Sequence, residues 1–465
     1  MQYVLGGFLA VALLALLLGG CSLYNHAFVT DAPQHAGYEL RVVQLDDFGT
    51  FWEPERAREA IGTVEALSQS MEFSTFVVVF IHGWHHDAAP DDGNLQDFGR
   101  WLGKLSAQLS QPGRGAARQQ LTGSPEFKLI GIYVGWRGRS LPGFLDYATM
   151  WWRKSAAERV GDGDLSEFLE RLQRIYLRAN AYLRYAQAPG RTPLTGLVTV
   201  GHSFGGQALL KAVGRSLEAD LVQRAPCLSD ASRQPGLPAD PAAERVVIDS
   251  FGDLNVLLNP ATEAYQFARI DGLYRQLAFP SAQAPQLVVF SADNDVPRRF
   301  FFPIARAITR PFRPPFRDTY QQQLWGLALG EFDGQKTHEL RLAPSEPDSL
   351  ADADFSGERR QKLAGYDFTA PTVFAGIRLA PLAGVPVVEN SPVAVVYTHE
   401  RIIDGHNGIF QSQFLDFLTG YVAFIEGKRG VLRYQRFEAQ RLQASAAPEQ
   451  GKVGCPRENA SESAP

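Results

Sequence analysis

The chain has 465 residues, and its 45 Lys and Arg against 50 Asp and Glu give a formal net charge of −5. Hydrophobic residues make up 45% and charged residues 20%, a globular composition that excludes a disordered chain, a coiled coil and a collagen-like fibre. The slightly acidic balance argues against a nucleic-acid-binding protein, which needs a basic surface. The three cysteines form no CxxC pair, so we expect no structural zinc site.

The N-terminus carries an uncharged apolar run at residues 3–20, followed at once by Cys21. At this position the run is typical of a signal peptide, and an uncleaved membrane anchor is the alternative. The small residues before Cys21 resemble the bacterial lipobox, although no Lys or Arg precedes the run. The resemblance implies that a signal peptide at residues 1–20 is removed and that acyl chains on Cys21 tether the mature chain to the cell envelope. Ser22 then favours the periplasmic face of the outer membrane, with residues 21–36 as a linker.

Export changes the interpretation of the other two cysteines. Once Cys21 is lipidated, Cys227 and Cys455 are the only remaining thiols in an oxidising compartment. They either form a disulfide that joins the C-terminal tail to the body of the protein or stay as two free thiols, and the sequence leaves both possibilities open.

Short apolar and β-branched runs predict strands at residues 40–45, 76–81, 128–134, 197–200, 254–258, 287–290 and 393–397. Segments with helical spacing lie between or after them at residues 53–69, 165–185, 207–217 and 410–425. Helices between short buried strands indicate βαβ crossovers. The sequence therefore predicts an α/β protein with a mostly parallel, twisted sheet that is flanked by helices.

Three stretches interrupt this alternation. Residues 224–243 contain five prolines or glycines and predict an exposed loop. Residues 298–380 hold Pro-rich and charged irregular runs, which favour an insertion or cap. Residues 444–465 are polar and rich in small side chains, so we expect a flexible tail.

The strongest chemical motif runs from Gly201 to Gly205, with Ser203 at its centre. A predicted buried strand precedes the motif and a predicted helix follows it. A serine on such a sharp strand-to-helix turn has a strained backbone, and glycines two residues to either side remove Cβ clashes. The turn exposes the hydroxyl at the end of the sheet, while the helix N-terminus favours developing negative charge. We therefore predict that Ser203 is a nucleophile; a surface serine in a glycine-rich turn is the alternative.

A second motif, His82-Gly83-Trp84, directly follows the predicted strand at residues 76–81. Together the two motifs resemble the α/β-hydrolase superfamily, and the resemblance spans about residues 37–427. Shorter matches resemble a subgroup of uncharacterised bacterial α/β-hydrolases, at residues 81–84, 133–138, 201–206 and 257–261. The resemblance implies an α/β-hydrolase domain at residues 37–443, with an insertion at about residues 298–390 between the catalytic acid and the histidine. It also implies that the backbone N–H groups of Trp84 and Phe204 form an oxyanion hole.

The resemblance places the catalytic acid after a late strand, which corresponds to residues 287–290 here. Family members often carry Gly-x-x-Asp-x-x-Pro at this point. Ala292 occupies the glycine position best, which makes Asp295 the predicted acid. Asp293 is the alternative acid, and either residue could instead form a local Asx turn.

The catalytic base is expected to be a histidine in a loop before the last helix. His406 lies between glycines in such a loop, whereas His399 closely follows a predicted strand. We therefore predict His406 as the base and keep His399 as the alternative. The chain order Ser203, Asp295, His406 is the order found in α/β-hydrolases.

Two weaker signals have competing interpretations. His82, His85, His86 and Asp87 contain metal-binding side chains, but a polar loop at the mouth of the site explains them better, so we predict no metal. Residues 298–317 contain six arginines and five phenylalanines. The favoured interpretation is a helix and linker with buried phenylalanines and solvated arginines; a membrane-facing lip is the alternative.

The sequence thus predicts an exported, lipid-anchored serine hydrolase that cleaves carboxylic esters, with esterase, lipase or thioesterase activity. We expect a small-molecule ester or lipid as substrate, a membrane contact through lipidated Cys21, no nucleic-acid partner and no cofactor. The sequence does not determine the oligomeric state. The alternative is a catalytically silent scaffold or binding lipoprotein of the envelope, because a fold does not prove activity.

Overall fold

The structure is a computed structural model that describes residues 25–28, 35, 37–140, 149–224, 245–310, 314–349, 365–366 and 368–446. The predicted signal peptide at residues 1–20 and the predicted lipidation site Cys21 lie outside the described residues. So do Cys227, Cys455 and most of the predicted loop at residues 224–243.

The described residues form one sheet from ten strands: β1 (Glu39–Leu45), β2 (Ser74–Ile81), β3 (Phe127–Trp136), β4 (Thr195–His202), β5 (Leu254–Leu258), β6 (Leu287–Ala292), β7 (His338–Leu342), β8 (Thr372–Phe374), β9 (Ile377–Pro381) and β10 (Val393–Thr398). The α-helices are α1 (Pro54–Ser68), α2 (Gly93–Leu109), α3 (Pro112–Thr122), α4 (Met150–Asp162), α5 (Asp164–Ala179), α6 (Tyr182–Gln187), α7 (Phe204–Arg224), α8 (Ala264–Tyr274), α9 (Phe302–Thr309), α10 (Thr319–Gly326) and α11 (Ser412–Ala446).

The strand order across the sheet is β1-β3-β2-β4-β5-β6-β10-β7-β9-β8. Every neighbouring pair from β1 to β7 is parallel, and only β9 runs antiparallel to its two neighbours. All seven strands that the sequence predicts are present. The prediction of an α/β protein with a mostly parallel sheet is therefore confirmed.

Helices cover both faces of this sheet. Every residue of β2 is buried, and successive side chains point to opposite faces. Phe80 joins a core cluster that includes residues of α2 and α11. Ile81 joins a second cluster that includes residues of α1, α4, α5, α7 and α8. Burial on both faces explains why β2 has a continuous apolar sequence rather than an alternating one.

The segment at residues 298–390, expected as an insertion or cap, adds strands to the sheet. It supplies β7, β9 and β8, which extend the sheet beyond β10. Val396 pairs in parallel with His338, and β9 then pairs back against β7. These strands are three to five residues long, so their pairing with β10 stabilises them more than their own sequences do.

Two predicted helix boundaries also need correction. The helix predicted at residues 165–185 is broken, because the Asn180 side chain exchanges two hydrogen bonds with the backbone of Thr195 and ends α5 there. Helix α11 continues to Ala446, beyond the expected start of the flexible tail at residue 444. Within the described part of the chain, no helix has both the length and the apolar character needed to cross a membrane.

Candidate active site

The candidate site lies at the carboxyl ends of four strands. In the parallel ladder Ile81 of β2 pairs with Gly201 of β4, and Ala292 of β6 pairs with Thr398 of β10. The strand ends therefore line up along one edge of the sheet, where loops of open α/β sheets form their sites. The loops that leave this edge carry the predicted residues Trp84, Ser203, Asp295 and His406.

Ser203 occupies a strained turn between β4 and α7, with a φ angle of +55°. The left-handed region is unfavourable for a residue with a side chain. Its cost is offset by hydrogen bonds from the backbone N–H of Ser203 to Leu258 and from Ala261 to the Ser203 carbonyl. The flanking glycine Gly205 has no room for a side chain, because a Cβ there would lie 2.2 Å from the carbonyl oxygen of Ile81.

The structure brings Ser203, Asp295 and His406 together. The Ser203 Oγ lies 2.7 Å from His406 Nε2, and His406 Nδ1 lies 2.7 Å from Asp295 Oδ2. An ionised carboxylate can only accept a hydrogen bond, so Nδ1 carries the proton of a neutral His406 imidazole. Nε2 is then free to accept the Ser203 hydroxyl proton. This is the geometry that general-base activation of a serine requires.

The charge of Asp295 fits this arrangement. Burial alone would raise the pKa of the Asp295 carboxyl, but the charges of His406 and Arg298 and two hydrogen bonds lower it on balance. The two alternative residues lie elsewhere. Asp293 accepts a hydrogen bond from the hydroxyl of Tyr397, and His399 is exposed, with its Nδ1 accepting from the backbone of Arg401.

Two buried side chains hold the backbone of His406. Its carbonyl oxygen accepts hydrogen bonds from Asn259 Nδ2 and His202 Nε2, each at 3.0 Å. Because a carbonyl cannot donate, His202 must carry its proton on Nε2. Burial is the main reason that the pKa of His202 lies well below its usual value, so this ring is neutral. The contact therefore supports the loop that carries His406.

The acid loop and the histidine loop are joined directly. Asn294 Oδ1 accepts a hydrogen bond from the backbone N–H of Gly405, and Asn294 Nδ2 donates to Asp404, both at 2.7 Å. Asn294 thus helps to fix the spacing between Asp295 and His406. Its position between two candidate acids gave no signal of this role in the sequence.

A buried arginine lies on the far side of Asp295. Arg298 is only 1% exposed, and its Nη1 lies 3.6 Å from Asp295 Oδ2. The same guanidinium donates to Asn259 Oδ1, Ser291 Oγ and Glu331 Oε1. Burial would raise the pKa of Glu331, and although nearby arginines and Lys336 oppose the effect, its pKa remains raised.

His82 organises the loop that carries the predicted oxyanion donor Trp84. Trp136 donates its backbone N–H to His82 Nε2 at 2.9 Å, so the ring proton must be on Nδ1, which donates to the Gly83 carbonyl at 2.8 Å. Burial lowers the pKa of His82 to about 4. The Gly83 carbonyl and the Trp84 N–H belong to the same planar peptide unit. His82 therefore fixes the direction of the amide that the sequence predicts as an oxyanion donor.

Both predicted donors adjoin the nucleophile. Gly83 packs so closely on the turn that a Cβ there would lie 2.7 Å from the Ser203 Cβ. Phe204 is the first residue of α7, and the amide groups of a helix's first turn point out of its N-terminus without intrahelical partners. Backbone amides placed in this way can stabilise a negative oxygen next to Ser203.

The remaining polar residues after β2 have structural partners. His86 contacts Asp92 through Nδ1 and accepts from Asn94 Nδ2 through Nε2. The Asp87 carboxylate accepts from the backbone of Ala89. Within the described ranges, no group of three or more His, Cys, Asp or Glu side chains is arranged to hold a metal ion.

Besides Asn294, three residues act around the site without having been predicted from the sequence: Asn259, Arg298 and Glu331. Asn259 lies in the segment at residues 257–261 that resembles a hydrolase subgroup, but nothing in that segment pointed to a role. Only the structure shows that Asn259 has a φ angle of +44° and is completely buried.

In comparisons with known proteins, no family model, no curated protein and no solved structure matches the chain.

Proposed function

We propose that this protein is an exported serine hydrolase of the α/β-hydrolase fold, which cleaves carboxylic esters through an acyl-enzyme on Ser203. The observation that carries the proposal is the hydrogen-bonded row from Asp295 through His406 to Ser203, with both bonds 2.7 Å long. The mostly parallel sheet and the strained strand-to-helix turn at Ser203 support the assignment of the fold.

The reaction has two halves. His406 Nε2 removes the Ser203 hydroxyl proton as Oγ bonds to the ester carbonyl carbon, and the negative oxygen is stabilised by the Trp84 and Phe204 amides. The tetrahedral intermediate then expels the alcohol, which takes the proton from His406. Water attacks the acyl-enzyme by the same route, gives its proton to His406 and releases the acid, while Ser203 recovers its proton. Asp295 holds the imidazole in the productive tautomer and stabilises the imidazolium throughout.

The proposed setting is the cell envelope. In this proposal residues 1–20 are a cleaved signal peptide, and acyl chains on Cys21 hold the enzyme at the periplasmic face of the outer membrane. The substrate is a small-molecule ester or a lipid ester, and the chemistry as written uses no cofactor.

The proposal is tested by reacting the full chain with a fluorophosphonate, which phosphonylates activated serines. We expect stoichiometric labelling of the wild-type chain and none of Ser203→Ala. The matched control is Ser216→Ala, at a serine of α7 that lies away from the triad near Glu170, and it should label normally. A folded wild-type chain that stays unlabelled over a wide pH range would contradict the proposal and favour the silent scaffold.

A further inference from the structure

Four charged or titratable groups form a row through the acid side of the site. Glu331 Oε1 lies 2.6 Å from Arg298 Nη2, and Arg298 Nη1 lies 3.6 Å from Asp295 Oδ2. The same carboxylate oxygen also accepts the hydrogen bond from His406 Nδ1. A cation and an imidazole therefore share one oxygen of the proposed catalytic acid.

We propose that Arg298 and Glu331 are positioning residues that set the protonation of the Asp295–His406 pair from outside it. Arg298 holds the carboxylate in place and opposes the formation of a second positive charge at His406. Glu331 partly neutralises Arg298 and so limits that opposition. The kinetic consequence depends on the proposed hydrolase function, but the protonation of the pair does not.

The environment makes these charges effective. Arg298 and Asp295 are almost completely buried, so water screens their interaction less than at a surface. Near Glu331 lie Arg299, at 3.7 Å, Lys336 and the titratable hydroxyl of Tyr397 on β10. On the histidine side, the neutral ring of His202 contacts the His406 backbone, and His86 lies behind it as a weaker influence on His202.

The test is an NMR titration of the His406 imidazole in the full chain labelled with ¹³C-histidine, with the signal assigned from a His406→Gln variant. Arg298→Met removes the cation, so the pair should take up a proton more readily, and the pH midpoint should rise by about one unit. Glu331→Gln leaves Arg298 less neutralised, so the midpoint should fall. Arg298→Lys restores a positive charge and should bring the midpoint back toward the wild-type value.

The opposite signs separate this proposal from a structural role. If both residues only supported the fold, their variants would lower stability and activity without moving the midpoint in opposite directions. Arg299→Met, which removes a half-exposed cation near Glu331, is the matched control and should move the midpoint much less. Glu331→Gln keeps the size and a hydrogen-bond acceptor, so it tests the proposal even if Arg298→Met fails to fold.

Unchanged midpoints, or shifts of the same sign, would overturn the proposal. If the midpoints shift in opposite directions, the pH profile of fluorophosphonate labelling in the same variants should follow the NMR midpoints. A chain that shows the opposite NMR shifts but no labelling at any pH would contradict the hydrolase function and leave the proposed charge row supported.

A separate observation concerns the segment that follows Asp295. Val296, Phe300 and Ile304 are spaced four residues apart along a continuous helical segment and are 49%, 61% and 58% exposed. On the other side of the segment, Arg298 and Arg306 are buried. The favoured expectation of buried phenylalanines and solvated arginines is therefore wrong for Phe300, Phe301, Arg298 and Arg306. It is confirmed for Phe302, which is buried, and for Arg299, Arg310 and Arg317, which are exposed.

We infer that the stripe Val296, Phe300, Ile304 docks on a lipid surface with anionic headgroups. Arg299, Arg310 and Arg317 of the same segment are exposed, and residues 298–317 contain no acidic residue in a chain of net charge −5. Cations beside exposed apolar groups favour such surfaces. The stripe begins next to Asp295, so docking would place the site at the lipid boundary. The docking itself does not depend on the proposed function. Only its consequence, the presentation of an ester substrate by a membrane, rests on that function.

The test places the photocrosslinking residue p-benzoylphenylalanine at Phe300 of the full chain in vesicles of phosphatidylethanolamine and phosphatidylglycerol. We expect lipid adducts by mass spectrometry, and fewer in vesicles of phosphatidylcholine alone. The matched control is Leu183, which is 76% exposed but lies on α6, near the amino end of β4 and away from the site edge. Equal adducts at both positions, or crosslinks from position 300 to residues 1–24 or to a second copy, would overturn the inference.

Discussion

The two sides of the candidate site are held by different kinds of interaction. On the oxyanion side, the neutral ring of His82 bridges backbone groups of Trp136 and Gly83. On the acid side, charged groups fix the positions of the side chains, since Asp295 lies between His406 and Arg298. A neutral bridge fixes geometry without responding to pH above the low pKa of His82, whereas a charged row also sets protonation. Placing an amide and tuning a base therefore need different chemistry.

The largest effect should come from the acid side. Asp295→Asn keeps the shape but offers an amide to His406 Nδ1, which favours the wrong imidazole tautomer. We expect the rate of phosphonylation of Ser203 to fall by about 10⁴-fold. Asp293→Asn is the control, because its carboxylate contacts Tyr397 instead. A loss of similar size in Asp293→Asn, with little loss in Asp295→Asn, would show that Asp293 is the catalytic acid and that the charges around Asp295 do not hold the site.

A smaller effect is expected on the oxyanion side. His82→Ala frees the Gly83–Trp84 peptide, which weakens one oxyanion donor without touching the triad. We expect a fall of about 10²-fold to 10³-fold in the phosphonylation rate, comparable to the loss of one donor. The pH midpoint of labelling should stay where it is, in contrast to the Arg298 variants. A shift of that midpoint in His82→Ala would show that the two sides are not separate. His399→Ala, at an exposed histidine, should change neither quantity.

The neutral bridge also predicts how stability depends on pH. The pKa of His82 is lowered to about 4 in the folded protein, so the unfolded chain binds more protons below the ordinary histidine value of about 6.5. The stabilisation that comes from the neutral His82 ring is fully present above about pH 6.5 and is lost as the pH falls toward 4. Between about pH 7 and about pH 4 this single group accounts for about 3 kcal/mol.

The measurement is urea unfolding at both pH values. His82→Asn retains a donor toward the Gly83 carbonyl but cannot be protonated, so its loss of stability on acidification should be smaller by about that amount. His338, which burial also gives a pKa of about 4, contributes equally to both proteins. Identical pH dependence in the two proteins would mean that His82 does not carry this linkage.

The smallest predicted effect lies at the junction of the acid and histidine loops. Asn294→Ala removes two hydrogen bonds that join it to Asp404 and Gly405. Each such bond contributes about 1 kcal/mol, so we expect about a tenfold fall in labelling rate with little change in melting temperature. Asp404→Asn, which keeps a hydrogen-bond acceptor toward Asn294, should retain most of the rate. An equal loss in both variants would indicate a charge effect of Asp404 instead of loop positioning.

The sequence located the candidate triad because its signals are local. Ser203 sits in a five-residue motif whose glycines are demanded by close backbone contacts, and His406 sits in a short loop before a long amphipathic helix. The acid was the weakest of the three predictions, since Asp293 and Asp295 are two residues apart. Only the direction of each side chain distinguishes them, and that depends on contacts with Tyr397 and His406 from elsewhere in the chain.

The features that the sequence did not predict depend on contacts between distant parts of the chain. Strands β7, β8 and β9 are too short to give a periodic signal, and they form by pairing onto β10. Arg298 was one of six arginines in a segment that favoured solvated charges, yet it meets Glu331 from a later segment and becomes buried. Asn259 likewise acquires its role only where three loops meet.

Acylation of Ser203 is tested most directly by mixing the full chain rapidly with an activated p-nitrophenyl ester. We predict a burst of p-nitrophenolate close to one equivalent per chain, an acyl group mapped by mass spectrometry to the peptide that contains Ser203, and loss of both in Ser203→Ala. Phenolate release without a burst and without acylated Ser203, or an acyl group on another residue, would contradict the account.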